Sequence, residues 1–278
     1  MRKIIARTIN KALKPAGLRV SRAGGAGAGG GGGLVAGHVN AGNYMKLLEE
    51  VQGIFSELVF PSLPPREHRT RLLAELLGTG ISEAMYLLNY LHESVRYEGD
   101  VCEFGVAQGA TSALLANEIY PTGKNIWLFD SFQGLPKPSE KDQLIDDIFD
   151  LKTMKNYEGT MSCPLDMVEG RLKAISFPPE RVRIVPGFIE ETIRNPPLPE
   201  RVCFAYIDFD FYNPILVALN FLDQRLPVGG AVVVDDYGFF SSGAKTAVDE
   251  FAGEHRDTYE VIHPPKFAGH FCILRRNG

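Results

Sequence analysis

A chain of 278 residues, 45% apolar and 23% charged, is long enough to bury one sizeable core. Its formal net charge of −5 speaks against a general nucleic-acid binder. No run approaches the roughly 18 apolar residues of a spanning helix, and Arg7, Asn10 and Lys11 interrupt any signal-peptide core.

The charge is unevenly placed. Residues 1–23 form a basic segment, with Arg2, Lys3, Arg7, Lys11, Lys14, Arg19, Arg22 and no acid. Ile4, Ile5, Ile9 and Leu13 fall near one helical face, up to Pro15. Two readings follow for residues 1–22: peripheral contact with an anionic membrane or an acidic protein, or a solvated terminus. Residues 24–33, GGAGAGGGGG, have no side chains to pack and read as a tether and domain boundary.

Residues 34–98 read as an N-terminal helical cap. Tyr44, Leu47, Leu48, Val51 and Phe55 give helical spacing over Asn43–Phe60. After the bend PSLPP, a second helix is expected over Arg66–Leu77, stopped by Gly78 and Gly80. Ser82 is then placed to cap a long helix whose stripe is Met85, Leu88, Leu91 and Val95.

Residues 99–278 show strand and helix in alternation. DVCEF is a strand, GVAQG a glycine turn and Ala110–Tyr120 a helix. Such a turn lets backbone N–H groups face an anionic or polar ligand, which makes Gly105, Val106, Gly109 and Thr111 cofactor-binding candidates. The spacing is G-x-x-x-G, not the dinucleotide G-x-G-x-x-G. NIWLFD is the second strand, ending at Asp130, followed by Ser131. An acid there suits the two hydroxyls of a ribose, and so a nucleoside-containing cofactor. A turn-capping role is the alternative.

Residues 134–180 are polar and proline-marked, longer than a simple crossover, and read as a lid insertion with a helix near Pro164–Ser176. RVRIVPG is a third strand; Glu190 and Glu191 after it read as solvated caps. The apolar runs CFAYI and AVVV suit buried parallel strands. The first ends in Asp208 and Asp210, the second in Asp235 and Asp236. If the two are neighbours, four carboxylates meet at the ligand-binding edge of an open sheet. Crowded carboxylates need a cation or protons, and oxygen donors suit Mg²⁺ or another hard divalent ion rather than zinc. Gly243–Glu254 is a helix, and TYEVIHP with HFCILRR an antiparallel pair. The order predicts an α/β fold: a doubly wound, mostly parallel seven-stranded sheet with helices on both faces and a final antiparallel strand.

Cys102, Cys163, Cys203 and Cys272 show no metal-finger or CxxC spacing, which fits a reducing, cytoplasmic setting without disulfides. That placement extends to the inner membrane face if the basic segment binds lipid.

CEFGVAQGAT, LFDSFQGLP, YIDFDFY, VVVDDYG and GAKTAVDEF, in this order, together resemble the macrocin and mycinamicin O-methyltransferases and the novobiocin-pathway sugar O-methyltransferase. The resemblance covers about residues 40–275. It implies a Rossmann-like class I methyltransferase using S-adenosyl-L-methionine and Mg²⁺ to methylate sugar hydroxyls. Glu103, Gly105 and Gly109 would line the methionine end of the cofactor, and Asp130 with Ser131 the ribose. Asp208, Asp235 and Asp236 match the metal ligands and Asp210 the carboxylate proposed as general base. Phe209 stands where the antibiotic enzymes often have glycine, so the acceptor pocket differs there.

The expected acceptor is a hydroxyl of a sugar on a glycosylated small molecule or glycan. A catechol-like or other vicinal diol would chelate a cation equally well, and a non-catalytic cofactor-binding scaffold is the reading from another class. A homo-oligomer is compatible with each.

Overall fold

The computed structural model describes residues 41–278. The basic segment and the glycine tether, with the contacts expected of residues 1–22, lie outside the described residues.

Seven strands form one sheet in the order β3-β2-β1-β4-β5-β7-β6. They are β1 (Asp100–Phe104), β2 (Ile126–Asp130), β3 (Val182–Pro186), β4 (Val202–Ile207), β5 (Ala231–Val234), β6 (Tyr259–Ile262) and β7 (Cys272–Arg276). All neighbouring pairs from β3 to β5 are parallel; β7 runs antiparallel between β5 and β6. Strand order reverses beside β1, so the β1–β4 edge is a topological switch point, where open α/β sheets bind ligands.

The strands read as unbroken apolar runs because both faces are covered. On one face Val101, Ile126, Leu128, Phe204 and Val233 share a core with helices α3 (Ile81–Ser94), α4 (Ala110–Ile119) and α5 (Leu165–Ala174). Leu72 and Leu73 of α2 (Arg69–Ala74) join the same core, and Val51 of α1 (Ala41–Ile54) packs against it. On the other face Cys102, Phe104, Ala205, Ile207 and Val232 meet α6 (Ile189–Thr192), α7 (Tyr212–Asp223) and α8 (Ser242–Glu254). The alternation of side chains along a strand therefore assigns Glu103 and Tyr206, which are register partners, to the face of α3 and α4.

Local details differ from the expectations in the helical layer. The helix expected over Asn43–Phe60 passes into a π-helical turn at Phe55–Val59. That expected over Arg66–Leu77 shrinks to α2, which starts after His68 at φ 66. Gly80, in extended conformation, is the N-cap of α3, so Ser82 lies inside the first turn and caps nothing. Tertiary packing of Leu72, Leu73 and the buried α3 face overrides these local signals.

The 134–180 insertion carries its own small core, with Leu135, Met154 and Tyr157 against Phe211 and Phe240. Asp142 pins it to the sheet domain: buried at 6% exposure, it accepts from Ser139 N at 2.7 Å, Tyr212 N at 2.8 Å and Ser241 Oγ at 3.3 Å. Lys141 adds bonds to Tyr212 Oη at 2.8 Å and Glu250 at 2.7 Å.

Candidate active site

The glycine turn sits where β1 ends, at the switch point. Gly105 has φ 89, and a Cβ there would stand 2.0 Å from the Asp208 carbonyl oxygen. Glycine is required because β1 and β4 approach each other at their carboxyl ends. Gly109 (φ 73) is the N-cap of α4, with Thr111 and Ser112 in the first turn.

Glu103 points inward from β1, 1% exposed. One carboxylate oxygen accepts from the Ser112 hydroxyl, while Oε1 has no partner. Burial pushes its carboxyl up to about 8, against the Ser112 bond that lowers it and the Asp130 charge that raises it further. The folded protein therefore holds a proton that the unfolded chain releases above its ordinary value of 4.5. Stability contributed by this group is present below that value and is lost as pH rises to about 8. Glu103→Gln is expected to melt higher than the wild type at pH 8 and equally at pH 5. Parallel melts that do not diverge with pH would contradict it.

Asp130 ends β2 and serves the turn. Its Oδ2 accepts from Val106 N at 2.7 Å and Ala107 N at 3.0 Å, and Oδ1 from Phe132 N at 2.6 Å. The capping alternative is thus realised in this arrangement. Ser131 is likewise engaged, donating to Gly134 O at 2.8 Å and accepting from Gln133 N at 3.0 Å.

The two acidic strands are neighbours: β4 pairs with β5 from Phe204 opposite Ala231 to Ile207 opposite Val234. Asp208 and Asp235 stand just past the ladder ends. Asp210 (φ 61) and Asp236 (φ 54) occupy the left-handed region, uncommon for non-glycine residues. Phe211 N donates to Phe209 O at 2.6 Å, so Asp210 is the apex of a three-residue turn. Backbone strain of this kind concentrates at functional sites.

The acids act on one another. Burial, then the charges of Asp235 and Asp236, push Asp208 well above the ordinary carboxylate range. Asp210 is raised by burial and by Asp208, against a bond from Asp236 that lowers it. Asp236 is raised by burial and by Asp235. Among the described residues no three His, Cys, Asp or Glu side chains converge as ligands of one ion. Beyond burial, like charges on the same edge act on each group: Asp208 on Asp210, and Asp235 on Glu83.

Glu83 and Tyr206 belong to this edge and were not singled out by sequence reasoning. Tyr206 Oη donates to Asp235 Oδ2 at 2.8 Å, and Thr79 Oγ1 lies 3.5 Å from Tyr206 Oη and 3.4 Å from Thr111 Oγ1. A row of hydroxyls so links the start of α4 to the acidic edge. Tyr206 was hidden inside an apolar run. For Glu83 a signal existed: it lies in helical register with Leu87, Tyr90 and Ser94, all buried.

One cleft joins the two halves, lined by Gly105, Asp130, Phe188, Asp208, Phe209 and Asp210. Phe209 also packs edge-on to Phe104, centroids 6.0 Å apart. Glu190, expected as a solvated cap, reaches this cleft too.

A sheet of this order, with a glycine turn and acids at the carboxyl edge of its switch point, has the class I S-adenosylmethionine-dependent methyltransferase fold. The O-methyltransferase NovP superposes with a TM-score of 0.62, covering 84% of this chain and 100% of its own at 21% identity. Residues 84–269 match the family described as Macrocin-O-methyltransferase (TylF), and the chain belongs to that family. Among its relatives, the 8-demethyl-8-(2,3-dimethoxy-alpha-L-rhamnosyl)-tetracenomycin-C 4'-O-methyltransferase of Streptomyces olivaceus is 28% identical over 176 residues, 60% of this chain and 64% of the relative. The mycinamicin III 3''-O-methyltransferase of Micromonospora griseorubida is 28% identical over 171 residues, 59% and 64% of the two chains. The chain thus spans slightly less than two thirds of the length of these relatives. Among the described residues, no helix is long and apolar enough to cross a membrane.

Proposed function

We propose that the protein transfers a methyl group from S-adenosyl-L-methionine to a hydroxyl of a sugar on a glycosylated small molecule or glycan, with a hard divalent cation at the acidic edge. The observation that carries this reading is the single cleft shared by Gly105, Asp130, Asp208 and Asp210. Family membership and the sugar O-methyltransferase names of the relatives support the acceptor class.

The residues fit the cofactor. Gly105 lines the cleft, and the buried Glu103 Oε1, without a partner, can pair with an ammonium group once its carboxyl gives up its proton. Glu103, Gly105, Val106, Gly109 and Thr111 would hold the methionine end and the turn side. Asp130 and Ser131 would hold the ribose by exchanging turn bonds for its hydroxyls. S-adenosylmethionine supplies an electrophilic methyl group.

The acids suit a cation in donor chemistry and in charge. All donors are carboxylate oxygens, and Asp208, Asp210 and Asp236 are raised first by burial and then by one another's charge, the part a hard cation would relieve. Asp208, Asp235 and Asp236 would hold Mg²⁺. Bound there, a hard cation would lower the pKa of a chelated hydroxyl, which is otherwise far above that of an aspartate near 3.9. Asp210, at the apex of its strained turn, accepts the hydroxyl proton as transfer proceeds. Phe209 shapes the cleft wall beside it.

The test is methyl transfer from labelled S-adenosylmethionine to a panel of glycosides and catechols. Turnover on glycosides, abolished by EDTA and restored by Mg²⁺, is expected. Full turnover in EDTA would remove the cation, and turnover confined to catechols would replace the acceptor class.

A further inference from the structure

Asp210 holds a left-handed backbone (φ 61) at the apex of the turn closed by Phe211 N and Phe209 O. A non-glycine residue persists in that region only where its surroundings over-determine it. On the strand side the fixing bond is Asp208 N to Phe104 O at 2.7 Å, from β4 to β1. On the helix side the fixing groups come from the 134–180 insertion. Phe211, 1% exposed, packs among Leu135, Met154, Tyr157 and Phe240. Tyr212 N, the first amide of α7, donates to Asp142 Oδ1 at 2.8 Å. Asp142 therefore caps α7 from outside the helix, where the N-cap residue Phe211 has no side-chain acceptor. Its carboxyl group is itself held by Ser139 N at 2.7 Å, Ser139 Oγ at 2.6 Å and Ser241 Oγ at 3.3 Å. Gly243 of α8 leaves the space, since a Cβ there would stand 1.8 Å from Asp142 Oδ1 and 2.6 Å from Tyr212 N. The insertion, α7 and α8 thus close on the amide two residues beyond Asp210.

We propose that Asp142 is a positioning residue for proton transfer: by clamping Tyr212 N, with Phe211 packed in the insertion core, it keeps Asp210 at the cleft. The inference rests on the reading of Asp210 as proton acceptor and gives the insertion a part in the chemistry. The same insertion lines the cleft with Leu135, Pro136 and Met161. One segment so walls the cleft and sets the direction of its acceptor carboxyl group. Loss of the clamp lets residues 209–212 leave the strained conformation, while the Asp130 bonds to the glycine turn stay in place.

The test joins crystal structures to a double-mutant cycle on the full chain, with labelled S-adenosylmethionine and the glycoside that the wild type methylates fastest. Asp142→Ala is expected to lower kcat about 10²-fold, as a misplacement of about 1 Å does. Its crystal structure should show Asp210 out of the left-handed region and the β4–β5 ladder intact. In an Asp210→Asn background, already without the proton acceptor, Asp142→Ala should cost nothing further. Affinity for S-adenosylhomocysteine, read by calorimetry, should match the wild type. Asp142→Asn keeps one oxygen for Tyr212 N and should fall between; if Asp142→Ala does not fold, Asp142→Asn carries the cycle. Equal losses in both backgrounds, or an unmoved Asp210, overturn the positioning role and leave Asp210 as acceptor. A parallel loss of S-adenosylhomocysteine binding makes Asp142 a support of the whole cleft and overturns it too. Wild-type kcat in Asp210→Asn overturns the acceptor reading, and this inference with it.

Discussion

Asp210→Asn is expected to lower kcat by about 10²–10⁴-fold, the usual worth of a positioned proton acceptor. Asn keeps the size and the turn but cannot take the proton. Asp210 is 8% exposed and surrounded by like charges, so the substitution relieves repulsion and should leave the melting temperature unchanged or raised. Binding of S-adenosylhomocysteine should persist, because Asn at this position leaves Gly105 and the Asp130 bonds to Val106 N and Ala107 N in place. Initial rates, melting curves and calorimetry on one preparation check all three. A variant with wild-type kcat would remove Asp210 from the proton-accepting role.

Removing Arg69 is expected to produce the largest loss of stability. Arg69 and Glu118 are each 1% exposed and meet in a two-point pair, Nε to Oε1 at 2.8 Å and Nη2 to Oε2 at 2.5 Å. His92 Nε2 lies 2.7 Å from the same Oε2. Burial alone pushes Glu118 up, but the bonds from Arg69 and His92 outweigh it and hold the carboxyl below its ordinary range. This network joins α2, α3 and α4, so it fastens the helical layer to the glycine-turn helix. Arg69→Met strands a buried carboxylate and should cost about 3–5 kcal/mol, a fall in melting temperature of order 10 °C for a domain this size. Because the folded pKa of Glu118 is depressed, its contribution is present above 4.5 and lost as pH falls through the folded value. The difference between Arg69→Met and wild type should therefore narrow in acid. An equal melting temperature at neutral pH would show that Glu118 is satisfied without Arg69.

Much of the site was legible because its chemistry is written in short segments. DVCEF followed by GVAQG placed Glu103, Gly105 and Gly109 at a strand-to-helix turn, and the structure puts them there. The adjacency of Asp208–Asp210 with Asp235–Asp236 was an inference from two apolar runs, and the β4–β5 ladder shows it. The start of α3 was misplaced, because Ser82 is a better local cap than Gly80 and only packing of the buried helix face chose between them. Glu83 lay in the segment read as an N-terminal helical cap, since a sequence does not say which element crosses to which edge.

The sequence by itself determined the strand–helix alternation, the glycine that β1 needs and the acids that end β4 and β5. These follow from local periodicity, backbone conformation and residue type. Only the tertiary structure decided that Asp130 holds the glycine turn, that Tyr206 reaches Asp235, that Asp142 anchors the insertion and that Glu83 faces the acidic edge. Each of those joins residues distant in sequence, and burial sets what such a contact costs or contributes.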